Sequence, residues 1–166
     1  MGALSDEYRE WNTPVVGAYL LWRFTKGFMS ERSGAEPPSF LWHCVAAAIV
    51  SSATYSDVID HARSLHKYSQ YFIANGMADK LEKLHYRVQR LLPYTKRAVD
   101  IAVNRHMLVW DVQNGALLPV DLGSQAKGSA QLSSSIKDLG RKADRLGRWC
   151  SKVDLNALTI ELGVKF

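Results

Sequence analysis

The longest apolar run, FLWHCVAAAIV at 40–50, constrains the fold of this chain more than any other feature. A helix over about 38–52 that contains this run is apolar nearly all round, so it needs other elements on every side. The run is well short of the roughly 18 apolar residues that a membrane span requires. We therefore expect a buried central helix, with the rest of the 166 residues packed around it in a single domain.

Helical periodicity continues on both sides of this run. Thr13 and Pro14 are a capping hydroxyl followed by a proline suited to the first turn, and Asn75–Gly76 is typical of a helix end. The last dozen residues suit either a short helix or a terminal strand. Helices are predicted over about 14–29, 38–52, 55–74, 79–91, 94–106 and 132–152.

The periodicity changes from 3.6 to 2 at Met107, which indicates a strand. Leu108, Trp110 and Val112 alternate with their neighbours, and Asn114–Gly115 is a strong hairpin signal. The predicted fold is mostly α, with a two-stranded β-hairpin.

The order helix, short turn, helix, hairpin is that of a winged helix–turn–helix, and ordinary mixed α+β packing is the alternative. The predicted parts are an N-terminal helical part at 1–78, a winged-helix-like unit at 79–120, and a C-terminal basic helix and tail at 121–166.

The net charge of +5 is concentrated in the second half of the chain. Residues 79–152 carry fourteen Lys or Arg and seven Asp or Glu, whereas residues 1–78 and 153–166 each have a net charge of −1. A concentration of this kind suits an anionic partner, either nucleic acid or an acidic protein face. Scattered, solvated side chains are the alternative interpretation.

One basic stripe is predicted on the helix over 132–152. Its members recur at intervals of 4, 3 and 4 residues: Arg141, Arg145, Arg148 and Lys152. Such a stripe could neutralise DNA phosphates without reading sequence. It could instead lie over the core or pair with carboxylates of a protein partner.

Lys96, Arg97 and Arg105 lie on the second helix of the predicted winged unit and could contact the same duplex. Only Asn104 on that helix suits adenine recognition, so base-specific readout is a weaker prediction.

Enzyme signatures are absent from the sequence. Neither a P-loop nor a GxSxG elbow occurs, and no cofactor is expected. Asp79 and Glu82 next to lysines resemble part of a nuclease site, but two carboxylates on a charged helix face more often stay solvated. The five histidines lack the i,i+4 spacing of a helical metal site, so no metal is expected.

Cys44 and Cys150 lie within apolar helical patterns, which indicates buried free thiols in a reducing compartment. The residues after Met1 match neither a signal peptide nor a myristoylation site. We expect a cytoplasmic protein that does not enter the membrane.

The C-terminal helix and tail, KADRLGRWCSKV…ALTIELGVKF, resemble the end of the middle-component proteins of bacterial ABC-three-component systems. The matching positions are Lys142, Ala143, Leu146, Gly147, Arg148, Trp149, Leu162, Gly163 and Val164. The segments WNTPVVGAYLLWRFTKGF and LLPYTKRAVDIAV, and the hairpin after the latter, also resemble that family. Two departures are Cys150, where the family favours Phe, and a central helix that lacks the family's Pro and His-rich pattern.

The resemblance implies a non-enzymatic adaptor that bridges an SMC-like ABC ATPase and an effector, often a nuclease. Such systems are similar to the Lamassu group of anti-phage defences, in which foreign DNA is sensed and the effector is then released. Trp11, Asn12, Trp110 and Trp149 are the predicted partner-interface residues. The alternative hypothesis is a stand-alone winged-helix DNA-binding regulator.

Overall fold

The computed structural model describes residues 13–31, 36–123 and 132–166. It confirms a mostly helical fold with one antiparallel hairpin in these ranges. The helices are α1 (Pro14–Ser30), α2 (Phe40–Val50), α3 (Ala53–Ser56), α4 (Leu65–Ala74), α5 (Ala78–Arg90), α6 (Leu92–Asn104), α7 (Ser134–Cys150) and α8 (Leu155–Leu162). The strands are β1 (Leu108–Asp111) and β2 (Ala116–Pro119), and a 3-10 turn covers Asp57–His61.

Helix α2 is buried as predicted, and it contacts α1, α5, α6 and α7. Its one histidine, His43, is wholly buried and lies in the core with its ring nitrogens satisfied. Nδ1 lies 2.8 Å from the Ser39 carbonyl oxygen, and Nε2 lies 2.8 Å from the Thr25 hydroxyl. Burial lowers the pKa of His43 to about 4, against the opposing effect of the Ser39 hydrogen bond. None of the described helices is long and apolar enough to cross a bilayer.

Helix α1 packs most extensively against α7, and the two backbones touch. A Cβ atom at Gly147 would lie 2.1 Å from the carbonyl oxygen of Phe24, and one at Gly27 would lie 2.1 Å from that of Asp144. Glycine at both crossing points lets the helices approach closely, because any side chain would meet rigid backbone. Helix α1 also packs on α6, so all three predicted parts of the chain contribute to one core.

The single helix predicted over 55–74 is wrong, because the structure breaks it twice. Helix α3 gives way to the 3-10 turn, and α4 begins only after Ser64, whose hydroxyl accepts a hydrogen bond from Lys67 N at 3.2 Å. The turn buries Val58 and Ile59 while Asp57 stays at the surface. A serine cap competes with helix continuation, and the buried pair fixes the turn against the core.

Helices α5 and α6 follow each other with Leu91 as the junction, and Pro93 lies in the first turn of α6 as predicted. The hairpin follows directly, with Trp110 paired to Leu117 and Val109 to Leu118. The predicted element order is therefore present. Its assignment to the winged-helix motif stays a prediction.

The alternation predicted for the first strand is only partly realised. Leu108 is buried, but Trp110 is 36% exposed, and Val112 lies in the turn with 84% of its surface exposed. The turn spans residues 112–115, and Gly115 adopts a left-handed φ of +60°. Strand β2 is bridged on its other side by Ser39, which ties the hairpin to the start of α2.

The C-terminal part contains the predicted long helix, α7, and the short helix α8 rather than a strand. Asp154 caps α8 by accepting a hydrogen bond from Ala157 N at 2.7 Å, and Gly163 ends it with φ +68°. Glu161 accepts a hydrogen bond from the Ser69 hydroxyl at 2.6 Å and lies 2.8 Å from His66, which joins α8 to α4.

Candidate nucleic-acid and partner surfaces

Three members of the predicted basic stripe lie on α7 and Lys152 follows its last turn, and carboxylates from remote parts of the chain lie against them. Arg141 Nη2 is 2.9 Å from Asp60 and 2.7 Å from Asp138, and Arg145 is 3.9 Å from Asp60. The guanidinium groups are therefore engaged within the chain. Such pairing leaves this end of the stripe less positive than its sequence indicates.

The other end of the stripe is paired in the same way. Arg148 is 2.8 Å from Asp144 and 3.3 Å from Glu31, and Lys152 is 3.7 Å from Glu31. These pairs are solvent-exposed, and each contributes little to stability. Their main consequence is electrostatic, because each carboxylate offsets a charge that a phosphate would otherwise meet.

Sequence reasoning missed the role of Lys142, which belongs to this ionic network although its side chain is only 7% exposed. Its ammonium lies 3.0 Å from Asp57, 3.3 Å from Asp60 and 3.2 Å from Asp138. Burial opposes the charged form, but the hydrogen bonds and charges of Asp57 and Asp138 outweigh it and raise the pKa of Lys142. A lysine placed between leucines of an amphipathic helix gives no sequence signal for carboxylates some 80 residues away.

The pKa values of Asp60 and Asp138, which pair with these cations, are lowered. Burial alone would raise the pKa of Asp60, but the Arg141 hydrogen bond and the Lys142 charge together lower it. The Arg141 hydrogen bond is the largest influence on Asp138 and lowers its pKa despite partial burial. Both carboxylates are therefore held ionised at neutral pH.

The three predicted cations of α6 differ from those of α7. Lys96, Arg97 and Arg105 are exposed, and within the described ranges no carboxylate lies within 4 Å of any of them. Helix α6 buries its other side, including Ala98 and Ala102, against α1. Its cations therefore face solvent with their charge available.

A second group of cations surrounds a cleft of about 390 Å³ between α3 and α5. Arg87 is fixed there, since its Nε donates to the Ala48 carbonyl at 2.8 Å and its Nη2 to the Ser51 carbonyl and hydroxyl. Two hydroxyl residues, two tyrosines and four cations line the cleft: Ser52, Thr54, Tyr55, Tyr86, Lys80, Lys83, Arg87 and Arg90. Only the lysines were considered in the sequence, and then as part of a nuclease site.

The carboxylates weighed for that nuclease site are placed differently from a metal site. Asp79 lies 3.2 Å from Lys83 and 4.0 Å from Lys80, and the Lys83 hydrogen bond lowers its pKa. Glu82 is exposed on the same helix. Among the described residues, no group of three or more His, Cys, Asp or Glu is arranged to hold a metal ion.

The hairpin presents an apolar surface next to the α6 cations. Trp110 packs on Phe40 with ring centroids 6.1 Å apart, and beside them lies a depression of about 290 Å³. Lys96, Val99 and Asp100 complete its lining. Val109, Val112 and Leu118 are exposed nearby. The structure thus brings Trp110 and Lys96, two predicted site residues, to one place.

Trp149 is not part of that surface. It is 6% exposed, packs against Tyr68 with centroids 6.3 Å apart, and shows only one edge beside Arg145 in a small cleft. Trp11 and Asn12 lie outside the described residues. Of the four predicted interface residues, Trp110 alone is placed with a substantial exposed face among those that the structure describes.

The larger cleft, of about 680 Å³, lies between the start of α2 and the α7–α8 connection. Ser39 and Trp42 line one side, and Asp154 and Asn156 the other. The Ser39 hydroxyl makes no hydrogen bond within the described part, and Asp154 is already the cap of α8. Asp154 therefore serves a helix end, whereas the Ser39 hydroxyl makes no capping hydrogen bond, and we assign no chemistry to this cleft.

Comparison with known proteins gave one match. The sequence model of a family described as ABC-three component (ABC-3C) system Middle Component 3 matches residues 1–166. No curated protein and no solved structure matches the chain. The family match confirms the resemblance seen in the C-terminal helix and in the two earlier segments.

Proposed function

Because this chain belongs to the Middle Component 3 family of ABC-three-component systems, we propose that it is a non-enzymatic adaptor. In this proposal it bridges an SMC-like ABC ATPase and an effector, which could be a nuclease, within a cytoplasmic anti-phage complex. The complex senses foreign DNA and controls the effector. Family membership makes the chain a component of a larger assembly, and the bridging role is our inference.

The exposed apolar side chains of the hairpin are the observation that carries this proposal. Val109 and Leu118 are cross-strand partners exposed on one face, and Trp110, the next residue of β1, is 36% exposed on the opposite face. Within the described residues no strand pairs with the outer edge of β1. An exposed hairpin with apolar side chains and an unpaired edge is unfavourable in water, so a protein partner is the simplest explanation.

The charge next to this surface indicates the chemistry of the partner. Lys96 and Arg97 have no carboxylate within 4 Å in the described ranges, and Lys96 lines the depression beside Trp110. An apolar side chain flanked by acidic residues would fit both features. We assign this surface to the ATPase, with Trp110 as the central aromatic anchor.

Co-purification from the intact operon tests the proposal. A tagged chain should recover the ATPase, and Trp110→Ala should reduce recovery at least tenfold, as expected for loss of a central aromatic anchor. Ile73→Ala is the control, because it removes an exposed apolar side chain from α4, away from the hairpin and from the clefts described above. Recovery of the tagged chain alone, or equal loss with both variants, would contradict the adaptor role.

The exposed cations of α6 favour a second candidate, the stand-alone winged-helix regulator. It predicts a symmetric dimer that prefers one duplex sequence, with affinity lost when Lys96, Arg97 and Arg105 are replaced by Gln. Light scattering and a binding selection from random duplexes separate the two candidates. A monomer without sequence preference would exclude the regulator.

An enzymatic role is tested separately. Asp79→Asn with Glu82→Gln should leave any DNA cleavage by the assembled complex unchanged, because Asp79 is held by lysines in this chain. Cleavage abolished by this double variant would assign catalysis to this subunit.

A further inference from the structure

We propose that the cleft between α3 and α5 is a phosphate-binding site. Among the described residues its lining has four cations, two tyrosines and two hydroxyl residues, and no carboxylate: Lys80, Lys83, Arg87, Arg90, Tyr55, Tyr86, Ser52 and Thr54. Phosphate oxygens accept hydrogen bonds from ammonium, guanidinium and free hydroxyl groups, whereas the Tyr55 hydroxyl already donates to the Lys80 carbonyl. The site lies away from the α7 stripe, where the sequence pattern had placed much of the DNA contact.

Arg87 gives the cleft a fixed positive charge. Its hydrogen bonds to Ala48 and Ser51 hold the guanidinium at the C-terminal end of α2, and its Cζ lies 6.0 Å from the centre of the Tyr55 ring. Tyr55 is itself held, because its hydroxyl donates to the Lys80 carbonyl at 2.8 Å. Arg87 and Tyr55 therefore form an ordered wall of the cleft, beside which the more mobile cations lie.

The other cations remain adaptable. Lys80 and Lys83 share Asp79, at 4.0 and 3.2 Å, and Arg90 has no carboxylate within 4 Å among the described residues. Within the described residues, Asp79 is thus the one carboxylate within 4 Å of the three cations Lys80, Lys83 and Arg90. The remaining excess is what a phosphate group would neutralise.

The neutral groups also suit a phosphate ester. Within the described residues the hydroxyls of Ser52 and Thr54 make no hydrogen bond, so they can donate to a ligand. Tyr86 is 69% exposed at the rim and offers a ring for a base or sugar to pack on. The shared chemistry is a phosphate group, supplied either by a nucleic-acid backbone or by a free nucleotide.

The site uses side chains of this chain alone, so it can be tested without partner subunits. Failure of phosphate binding would leave the adaptor proposal standing, and loss of the ATPase complex would leave this site standing. Substitutions at the cleft and at Trp110 therefore report on separate inferences.

The experiment measures fluorescence anisotropy of a labelled short duplex DNA against the full chain over a range of salt concentrations. Lys83→Gln with Arg90→Gln removes two charges from the cleft, and Arg148→Gln with Lys152→Gln removes two from the α7 stripe. Thermal melts of both variants check folding. A second arm asks whether ATP or inorganic triphosphate displaces the duplex.

We expect the cleft variant to lose roughly 50-fold in affinity near 0.1 M salt, and its log–log salt slope to fall by about 2, as for two lost phosphate contacts. The stripe variant should change less than about threefold, since its cations already have carboxylate partners. Displacement by triphosphate identifies a nucleotide as the source of phosphate, and resistance to displacement identifies the DNA backbone.

Three results would overturn the inference. One is a folded cleft variant with wild-type affinity, and another is an equal loss in the stripe variant. The third is a wild-type chain that binds neither duplex nor triphosphate at low salt.

Discussion

Helix α7 and the α5–α6 pair carry the same formal charge but differ in how much of it faces the solvent unopposed. Residues 134–152 contain six Lys or Arg and two Asp or Glu, and residues 78–107 contain seven and three, so each region has a net charge of +4. Asp57, Asp60 and Glu31 approach α7 from elsewhere in the chain. On the α5–α6 pair, Asp79 lies within 4.0 Å of Lys80 and Lys83, and no described carboxylate lies within 4 Å of Arg90, Lys96, Arg97 or Arg105.

The difference shows that a basic helix and a basic surface are separate properties. Helix α7 uses its cations to fasten the 3-10 turn and the end of α1, in addition to its apolar contact with α1. Helices α5 and α6 bury small and aliphatic residues and leave most of their cations to solvent. We therefore interpret α7 as a structural helix and the α5–α6 pair as a surface for anions.

The largest expected effect tests the structural role of α7. Gly147→Ala should destabilise the fold by about 3 kcal/mol, because the new methyl group meets the backbone of α1. The thermal midpoint should fall by roughly 6–12 °C. Gly140→Ala is the matched control, since its Cβ would meet only the end of the Tyr19 side chain, at 2.7 Å, which can move. Equal stability of the two variants would contradict the close contact.

A smaller effect is expected at the buried ammonium of α7. Lys142→Met should cost about 2 kcal/mol in urea unfolding, because Asp57, Asp60 and Asp138 then repel one another without a central cation. Lys152→Met removes an exposed lysine just after the end of the same helix and should cost less than about 0.5 kcal/mol. An unchanged unfolding free energy in Lys142→Met would show that the ionic network does not stabilise the fold.

This cost should depend on pH in a defined direction. The folded-state pKa values of Asp60 and Asp138 lie below the usual 3.8, so their stabilisation is present above pH 3.8 and is lost as the pH falls through the lowered values. The stability difference between wild type and Lys142→Met should therefore shrink at acid pH. Urea titrations from pH 7 to pH 2 measure it, and a constant difference would exclude the carboxylates as its cause.

Arg148, at the exposed end of the stripe, should contribute less to the unfolding free energy. Arg148→Gln should reduce the unfolding free energy by at most about 1 kcal/mol, since both of its carboxylate partners are solvent-accessible. High salt should reduce that difference further. A loss that is larger and independent of salt would indicate a packing role for the Arg148 side chain.

The smallest effect on stability is expected from the cations of α5. Lys83→Gln with Arg90→Gln should change the unfolding free energy by no more than about 0.5 kcal/mol, because both side chains are exposed. The same substitutions have the larger predicted effect on phosphate binding. A marked loss of stability would contradict our interpretation that the cations of α7 serve the fold and those of the α5–α6 pair do not.

Much of the fold was predictable from local pattern. The apolar run at 40–50 required burial, and Pro93, Asn114 and Gly115 marked the start of α6 and the hairpin turn. These features act over a few residues, through backbone preference and helical or strand periodicity. The break within 55–74 was missed because it depends on a tertiary contact of the turn as well as on its serines.

The candidate site residues also divide into those that the sequence predicted and those that it missed. Lys96, Arg97 and Trp110 were predicted and lie at the surface, whereas Trp149 belongs to the core. The cleft around Arg87 was missed as an anion site because its hydroxyls and cations come from two helices more than 20 residues apart in the chain. No spacing rule joins such residues.

Sequence alone sufficed for the helical class, the buried central helix, the hairpin and the amount of positive charge. Tertiary structure decided which of that charge is available, and it did so through pairs such as Arg148 with Glu31, which are 117 residues apart. The physical reason is that the two kinds of interaction act over different separations along the chain. Helix and turn preferences depend on neighbours within about one helical turn, whereas ion pairing and backbone contact depend on distances that exist only after the chain has folded.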